Sequence, residues 1–262
     1  MTEQEFIKKL PTIDNYYAIF CDYTKMPYAE CDEVTYDDKA FIFLNEADAK
    51  TFVDSYKEDK MLLSVRVFTR SQILGYLSSL IMDGINMVSF RGEEEYNIQL
   101  DKIIKKKEPD GNGPQPVENP TLKISMMYFM QAVRTAETNE EKMIVRQFEE
   151  EMMVNIARAR YLVPSKEIGE EDEEGNKKVA FLQVKSNNGE VFIPAFTDIN
   201  EFTAFSSQEG TTKFMILDFD KIKTVKMPGL NGFIINPGTI GVLLNEQHIN
   251  AIDQRFCQNI SE

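Results

Sequence analysis

Residues 189–205 read GEVFIPAFTDINEFTAF, and no run in the chain limits its fold more tightly. The apolar stretch VFIPAF, set between the Asn188-Gly189 turn and a polar break, predicts a buried strand. Thr197, ahead of Asp198, Asn200 and Glu201, predicts a helix start. A hydroxyl at the N-cap accepts from free backbone N–H groups, and acids suit the positive end of a helix. Ile199, Phe202 and Phe205 give that helix an apolar side. Lys213 to Phe219 (KFMILDF) predicts a second strand, and Ile222 with Val225 a second short helix. Gly232 to Gly238 (GFIINPG) predicts a third strand, stopped by Asn-Pro-Gly because proline cannot donate to a ladder. Strand, helix, strand, helix, strand calls for an α/β layer.

FIPAFTDINEF followed by GFIINPG resembles the SseB N-terminal domain family, named for enhanced serine sensitivity. That family shows a "vP-x-F-T" strand-to-helix turn and a later "NP" strand end. It opens with "NP-x-L" and a helical pair closed by "A-R-hh-VP". The matching residues are Asn119-Pro120-Thr121-Leu122 and Ala159-Arg160-Tyr161-Leu162-Val163-Pro164, so the resemblance runs over residues 118–250. It implies a cytoplasmic bacterial protein of ill-defined role, and it carries over no catalytic residues.

The first half follows the same order. Met1 to Leu10 predicts a short amphipathic helix, and Asn15 to Phe20 a strand. A loop around Pro27, Asp32 and Glu33 leads to a strand at residues 39–44 and a helix capped by Asn45. Leu62 to Phe68 predicts a strand, Thr69 or Ser71 caps a helix that stops at Asp83-Gly84, and Met87 to Phe90 is a further strand. KAFIFLNEADAKTFV lies over VFIPAFTDINEFTAF, SVRVFTRSQI over KFMILDFDKI, and GINMVSFRG over NGFIINPG. The order points to an internal duplication, with residues 1–107 a diverged copy. Leu44-Asn45 then stands where Phe196-Thr197 does, and Phe90-Arg91 replaces Asn236-Pro237. Whatever those positions bind in the second half, the first half is expected to have lost, leaving it a packing or pairing partner.

Glu108 to Glu118 (EPDGNGPQPVE) holds three Pro and two Gly and reads as a linker. Asn119 as N-cap and Pro120 at the first position open a helix, and Thr138 with Glu141 form a capping box for a second one. Methionines 126, 127, 130, 143, 152 and 153 stripe this hairpin, as core or as an adaptable groove. Glu167 to Lys178 carries six acids in the eight residues 167–174, without the alternation of a calcium loop, and reads as solvated. The expected fold is therefore α+β (or α/β): a domain at 1–107, a linker at 108–118, and a related domain at 119–262 prefaced by a helical hairpin.

Net charge is −14, divided evenly between the halves, which opposes nucleic-acid binding. No stretch approaches the ~20 apolar residues of a membrane helix, and MTEQEFIKKL lacks a signal core, so a cytoplasmic location is expected. Cys21, Cys31 and Cys257 form no C-x-x-C pair and read as reduced thiols. His248, the one histidine, lies outside any motif, and neither P-loop nor G-x-G-x-x-G appears. The expectation is a protein that is not an enzyme and takes no cofactor or metal. The candidate ligand or partner edge is Thr197, Asp198, Asn236, Pro237 and Gly238, at carboxyl ends of strands if those run parallel. The bland alternative is that Thr197 and Asp198 cap a helix while Asn236-Pro237 makes a turn. Function is read as a protein–protein interaction or regulatory module with an unknown protein partner, or alternatively as a binding domain for a small, amino-acid-related metabolite.

Overall fold

Strands buried on both faces must lie inside a sheet, and the burial of Tyr16, Ala18, Ile19, Phe20 and Cys21 puts the first strand there. The computed structural model describes residues 1–105, 115–168, 178–209 and 213–257, and its fold class is α+β. Two compact units divide the chain. One is Met1–Gln115 with Lys123–Glu149; the other is Pro116–Leu122 with Glu150–Glu262.

The first unit runs α1 (Glu3–Lys9), β1 (Asn15–Cys21), β2 (Met26–Pro27), β3 (Ala29–Cys31), β4 (Asp38–Phe43), α2 (Glu46–Ser55), β5 (Leu63–Thr69), α3 (Ile73–Met82), β6 (Met87–Arg91) and β7 (Glu95–Gln99). Most of α4 (Pro120–Thr135) and half of α5 (Asn139–Arg158) also belong to it. β1 pairs antiparallel with β5 along its whole length, from Asn15↔Thr69 to Cys21↔Leu63. Its other edge meets β2 and β4, β4 runs parallel to β6, and β6 antiparallel to β7. Alternation along β1 sends Ile19 and Cys21 toward Phe52 of α2, and Phe20 toward Tyr76 of α3.

Polar bonds hold α4 to this unit. Lys123 Nζ lies 2.6 Å from Asp83 at the end of α3, and both side chains are almost wholly buried. The Tyr128 hydroxyl donates to Asp38 at 2.6 Å, and Gln131 Nε2 donates to the Ala29 carbonyl at 3.0 Å. Burial pushes the Asp38 carboxyl up, while the bond from Tyr128 opposes the shift.

The second unit contains β8 (Arg160–Ile168), β9 (Lys178–Phe181), β10 (Val184–Lys185), β11 (Val191–Ala195), α6 (Ile199–Glu209), β12 (Phe214–Asp218), α7 (Phe219–Ile222), β13 (Leu230–Ile235), β14 (Val242–Asn245) and α8 (Glu246–Ile252). Its sheets, β10-β11-β13-β14 and β12-β8-β9, meet at one bridge, Leu162↔Phe196. The pairing scheme is that of the first unit. β8 pairs antiparallel with β12 as β1 does with β5, β11 runs parallel to β13 as β4 does to β6, and β13 returns antiparallel to β14 as β6 does to β7.

Pro194 inside β11 fits this scheme. Ala195 turns its carbonyl to β13, where it accepts from Asn236, so Pro194 faces the opposite edge. There β10 pairs as far as Phe192 and β8 is met at Phe196, so among the described residues no ladder bond falls at position 194, where proline has no N–H to give. Phe41 marks the same changeover in β4, from β3 at Ala40 to β1 at Ile42.

Several sequence expectations need correction. KFMILDF does not join the layer of β11 and β13; it forms β12 and pairs with β8, which starts at Arg160 where α5 has just ended. The short helix expected over Ile222 and Val225 is α7, which begins at Phe219 because Asp218 accepts from the Lys221 N–H at 2.9 Å. Neither Thr69 nor Ser71 caps α3; the N-cap position is Gln72, whose side-chain oxygen accepts from Thr69. β7, β14 and α8 carry no sequence expectation at all. Residues 106–114, most of the expected linker, and 169–177, most of the acidic run, lie outside the described residues.

Gly232 has φ +145, and a Cβ there would lie 2.0 Å from the Leu244 carbonyl oxygen on β14. Gly232→Ala is expected to destabilise the protein by about 3–5 kcal/mol in urea unfolding; a loss under about 1 kcal/mol would show that β13 and β14 separate freely. Lys123→Met, which breaks the buried ion pair with Asp83, is expected to lose about 3–5 kcal/mol, much of it regained in Lys123→Met/Asp83→Leu. A double variant no better than the single would contradict that account.

Candidate functional site

β11 and β13 run parallel, so their carboxyl ends lie together, and the side chains just beyond them meet there. Asn236 Oδ1 accepts from the Thr197 N–H at 3.0 Å, and Asn236 Nδ2 donates to Thr197 Oγ1 at 2.9 Å. Thr197 Oγ1 in turn donates to Asp198 Oδ2 at 2.9 Å. All three side chains are fully buried. Asn236 adopts φ +48, in the left-handed region that asparagine tolerates better than most residues. Its carbonyl accepts from the Thr239 and Gly241 N–H groups, closing the turn through Pro237 and Gly238.

The helix cap is one residue later than the sequence suggests. Asp198 Oδ1 accepts from the N–H groups of Asn200 (2.9 Å) and Glu201 (3.1 Å), which makes Asp198 the cap of α6. Thr197 is spent on Asn236 instead. Glu201 accepts from the Thr239 hydroxyl at 2.8 Å, a second tie between the helix and the turn.

Asn119 extends the network. Its Nδ2 donates to the carbonyls of Thr197 (2.6 Å) and Arg160 (2.8 Å), while its Oδ1 accepts from the Arg160 N–H at 3.3 Å. The side chain expected to cap α4 therefore joins β8 to the end of β11. Asn119, Arg160, Thr197 and Asn236, drawn from four separate sequence motifs, form one connected set. Of the candidate edge, Thr197, Asp198 and Asn236 are brought together and bonded to each other. Pro237 is half-buried and Gly238 is exposed on the turn beside them.

Other candidates are simpler. His248 is exposed, and its Nδ1 lies 3.1 Å from the Leu243 carbonyl. Cys21, Cys31 and Cys257 form no disulfide with one another. Asp220, Asp253 and Cys257 lie close enough to hold a metal ion. The Lys223 ammonium stands between the two carboxylates at 2.7 Å from each, and those bonds push its pKa up. No described helix is long and apolar enough to cross a membrane.

The family model described as SseB protein N-terminal domain matches residues 136–251. The matched segment begins within the helical pair, so Asn119-Pro120-Thr121-Leu122 falls outside it. No curated protein matches the chain. Two solved structures are similar over most of the length. Anabaena Tic22 (protein transport) covers 90% of this chain and 92% of its own at 11% identity and a TM-score of 0.22. Tic22 from Plasmodium falciparum covers 98% of each at 13% identity and a TM-score of 0.23.

Asn236→Ala removes both bonds that Asn236 makes to Thr197 and places a residue with no side-chain hydrogen bond at positive φ. It is expected to lose about 2–4 kcal/mol of stability in urea unfolding. A change below about 1 kcal/mol would show that the network adds nothing to the fold.

Proposed function

We propose that the chain, whose residues 136–251 match the SseB N-terminal domain family model, is a non-catalytic protein–protein interaction module whose contact surface is the edge of β12 that no described strand pairs. The observation that carries this reading is the exposure of three consecutive apolar residues, Phe214 (38%), Met215 (38%) and Ile216 (39%), on an outermost strand. The Ser165 N–H donates to the Lys213 carbonyl, so Lys213, Met215 and Leu217 turn their backbone groups toward β8. Phe214 and Ile216 turn theirs outward. An apolar strand with outward N–H and C=O groups is suited to take an extended segment of another protein as a further strand, main-chain bonds giving affinity and side-chain contacts selectivity. The repeated pairing scheme of the two units supports internal duplication as their origin.

Ile216→Lys adds a charge to this edge, where a long side chain still reaches solvent. Affinity capture of the tagged full chain from native lysate is expected to retain a protein in near-stoichiometric amount, and Ile216→Lys to retain at least tenfold less. Circular dichroism checks that the variant is folded. A wild type recovered alone, or a partner held equally by the variant, would end this reading.

A further inference from the structure

In the second unit the carboxyl ends of the parallel strands are sealed; in the first they open into a cavity of about 600 Å³. The helix caps fix the correspondence. Asn45 caps α2 as Asp198 caps α6, which sets Leu44 at the place of Thr197 and Arg91 at that of Asn236. This register is one residue from the alignment of Leu44-Asn45 with Phe196-Thr197. Leu44 has no hydroxyl to bond, and the Arg91 guanidinium lies over the rings of Phe41 (4.8 Å) and Phe52 (5.2 Å). Gly92 follows, and a Cβ there would press on Leu44 Cδ1 at 3.2 Å. Arg91 bonds Ser89 and pairs with Glu95 instead, and without the Thr–Asn bonds that seal the other unit the edge stays hollow.

We propose that this cavity binds a small organic ammonium ion with an apolar body. Its position is where open α/β sheets take ligands, and its volume is that of a small-molecule site. Leu44 and the stacked rings of Phe6 and Tyr96, with centroids 4.3 Å apart, supply an apolar wall. Asp48, Glu93 and Glu94 stand on the rim against one basic side chain, Lys9. Glu94 lies 3.2 Å from the Met1 ammonium and also accepts from the Tyr96 hydroxyl. The hydrogen bond from Tyr96 and that ammonium hold the Glu94 carboxyl below the usual carboxylate range, so it is ionised at neutral pH. This inference goes beyond the interaction reading and uses none of β12.

Calorimetric titration of the full chain at neutral pH with benzylamine tests it, with benzyl alcohol and benzoate as neutral and anionic counterparts. Benzylamine is expected to bind at least tenfold more tightly than either, a difference of about 1.4 kcal/mol. Gly92→Leu, which fills the cavity, and Glu93→Gln/Glu94→Gln, which removes rim charge, are each expected to weaken it at least tenfold. If Gly92→Leu does not fold, the Gln variant decides alone. No heat with benzylamine, equal affinity for the three compounds, or undiminished binding by the folded variants would overturn the proposal.

Discussion

Two hydrogen bonds between Thr197 and Asn236 do what parallel pairing leaves undone at the end of a strand pair. Beyond Ala195 and Ile235 the ladder stops, and the chain leaves in two directions, into α6 and into a turn. Backbone groups exposed there would be buried without partners, at a loss of about 1–3 kcal/mol each. The Asn236 amide oxygen takes the Thr197 N–H while its Nδ2 holds the Thr197 hydroxyl, from a backbone conformation closed to bulky residues. Asn119 and Asp198 then tie β8 and α6 to the same point. The position of the helix cap, the turn and the first strand of the unit all depend on it.

The strand changeover is the other constraint. β4 and β11 each serve two partners on one edge, a short strand first and then β1 or β8. At the crossing residue no ladder bond is made, so phenylalanine and proline are equally compatible with the backbone. Pro194 makes the break complete, and the second unit has two sheets joined by a bridge where the first has one.

Strands with an unbroken apolar run, β1, β4 and β11, were legible from residue pattern alone, as were the Asn45 cap and the Thr138–Glu141 capping box. Local signals decide those elements. Legibility ended where partners are distant in sequence. KFMILDF reads as a strand, but nothing in it says that its neighbour is Arg160–Pro164 rather than β11. The closing strands β7 and β14 were missed because EYNIQ and VLLN are short and owe their form to β6 and β13. Within the candidate edge, residue types pointed to Thr197 and Asn236, but only the fold shows that they bond to each other. Asn119 looked like a helix cap because its role requires Arg160 and Thr197, 41 and 78 residues away.

The division of the chain has a consequence for how it is made and how it can be cut. Each unit is assembled from two separate stretches, and the polypeptide passes from one to the other three times: near Gln115, Leu122 and Glu149. On the ribosome the first unit stays incomplete until residue 149 has emerged, with Asp83 waiting for Lys123. The Pro- and Gly-rich segment before Asn119 looks like a domain boundary, yet a cut there would divide the first unit, with Asp83 on one fragment and Lys123 on the other. A protease nick at that segment would mark an interruption within a folding unit.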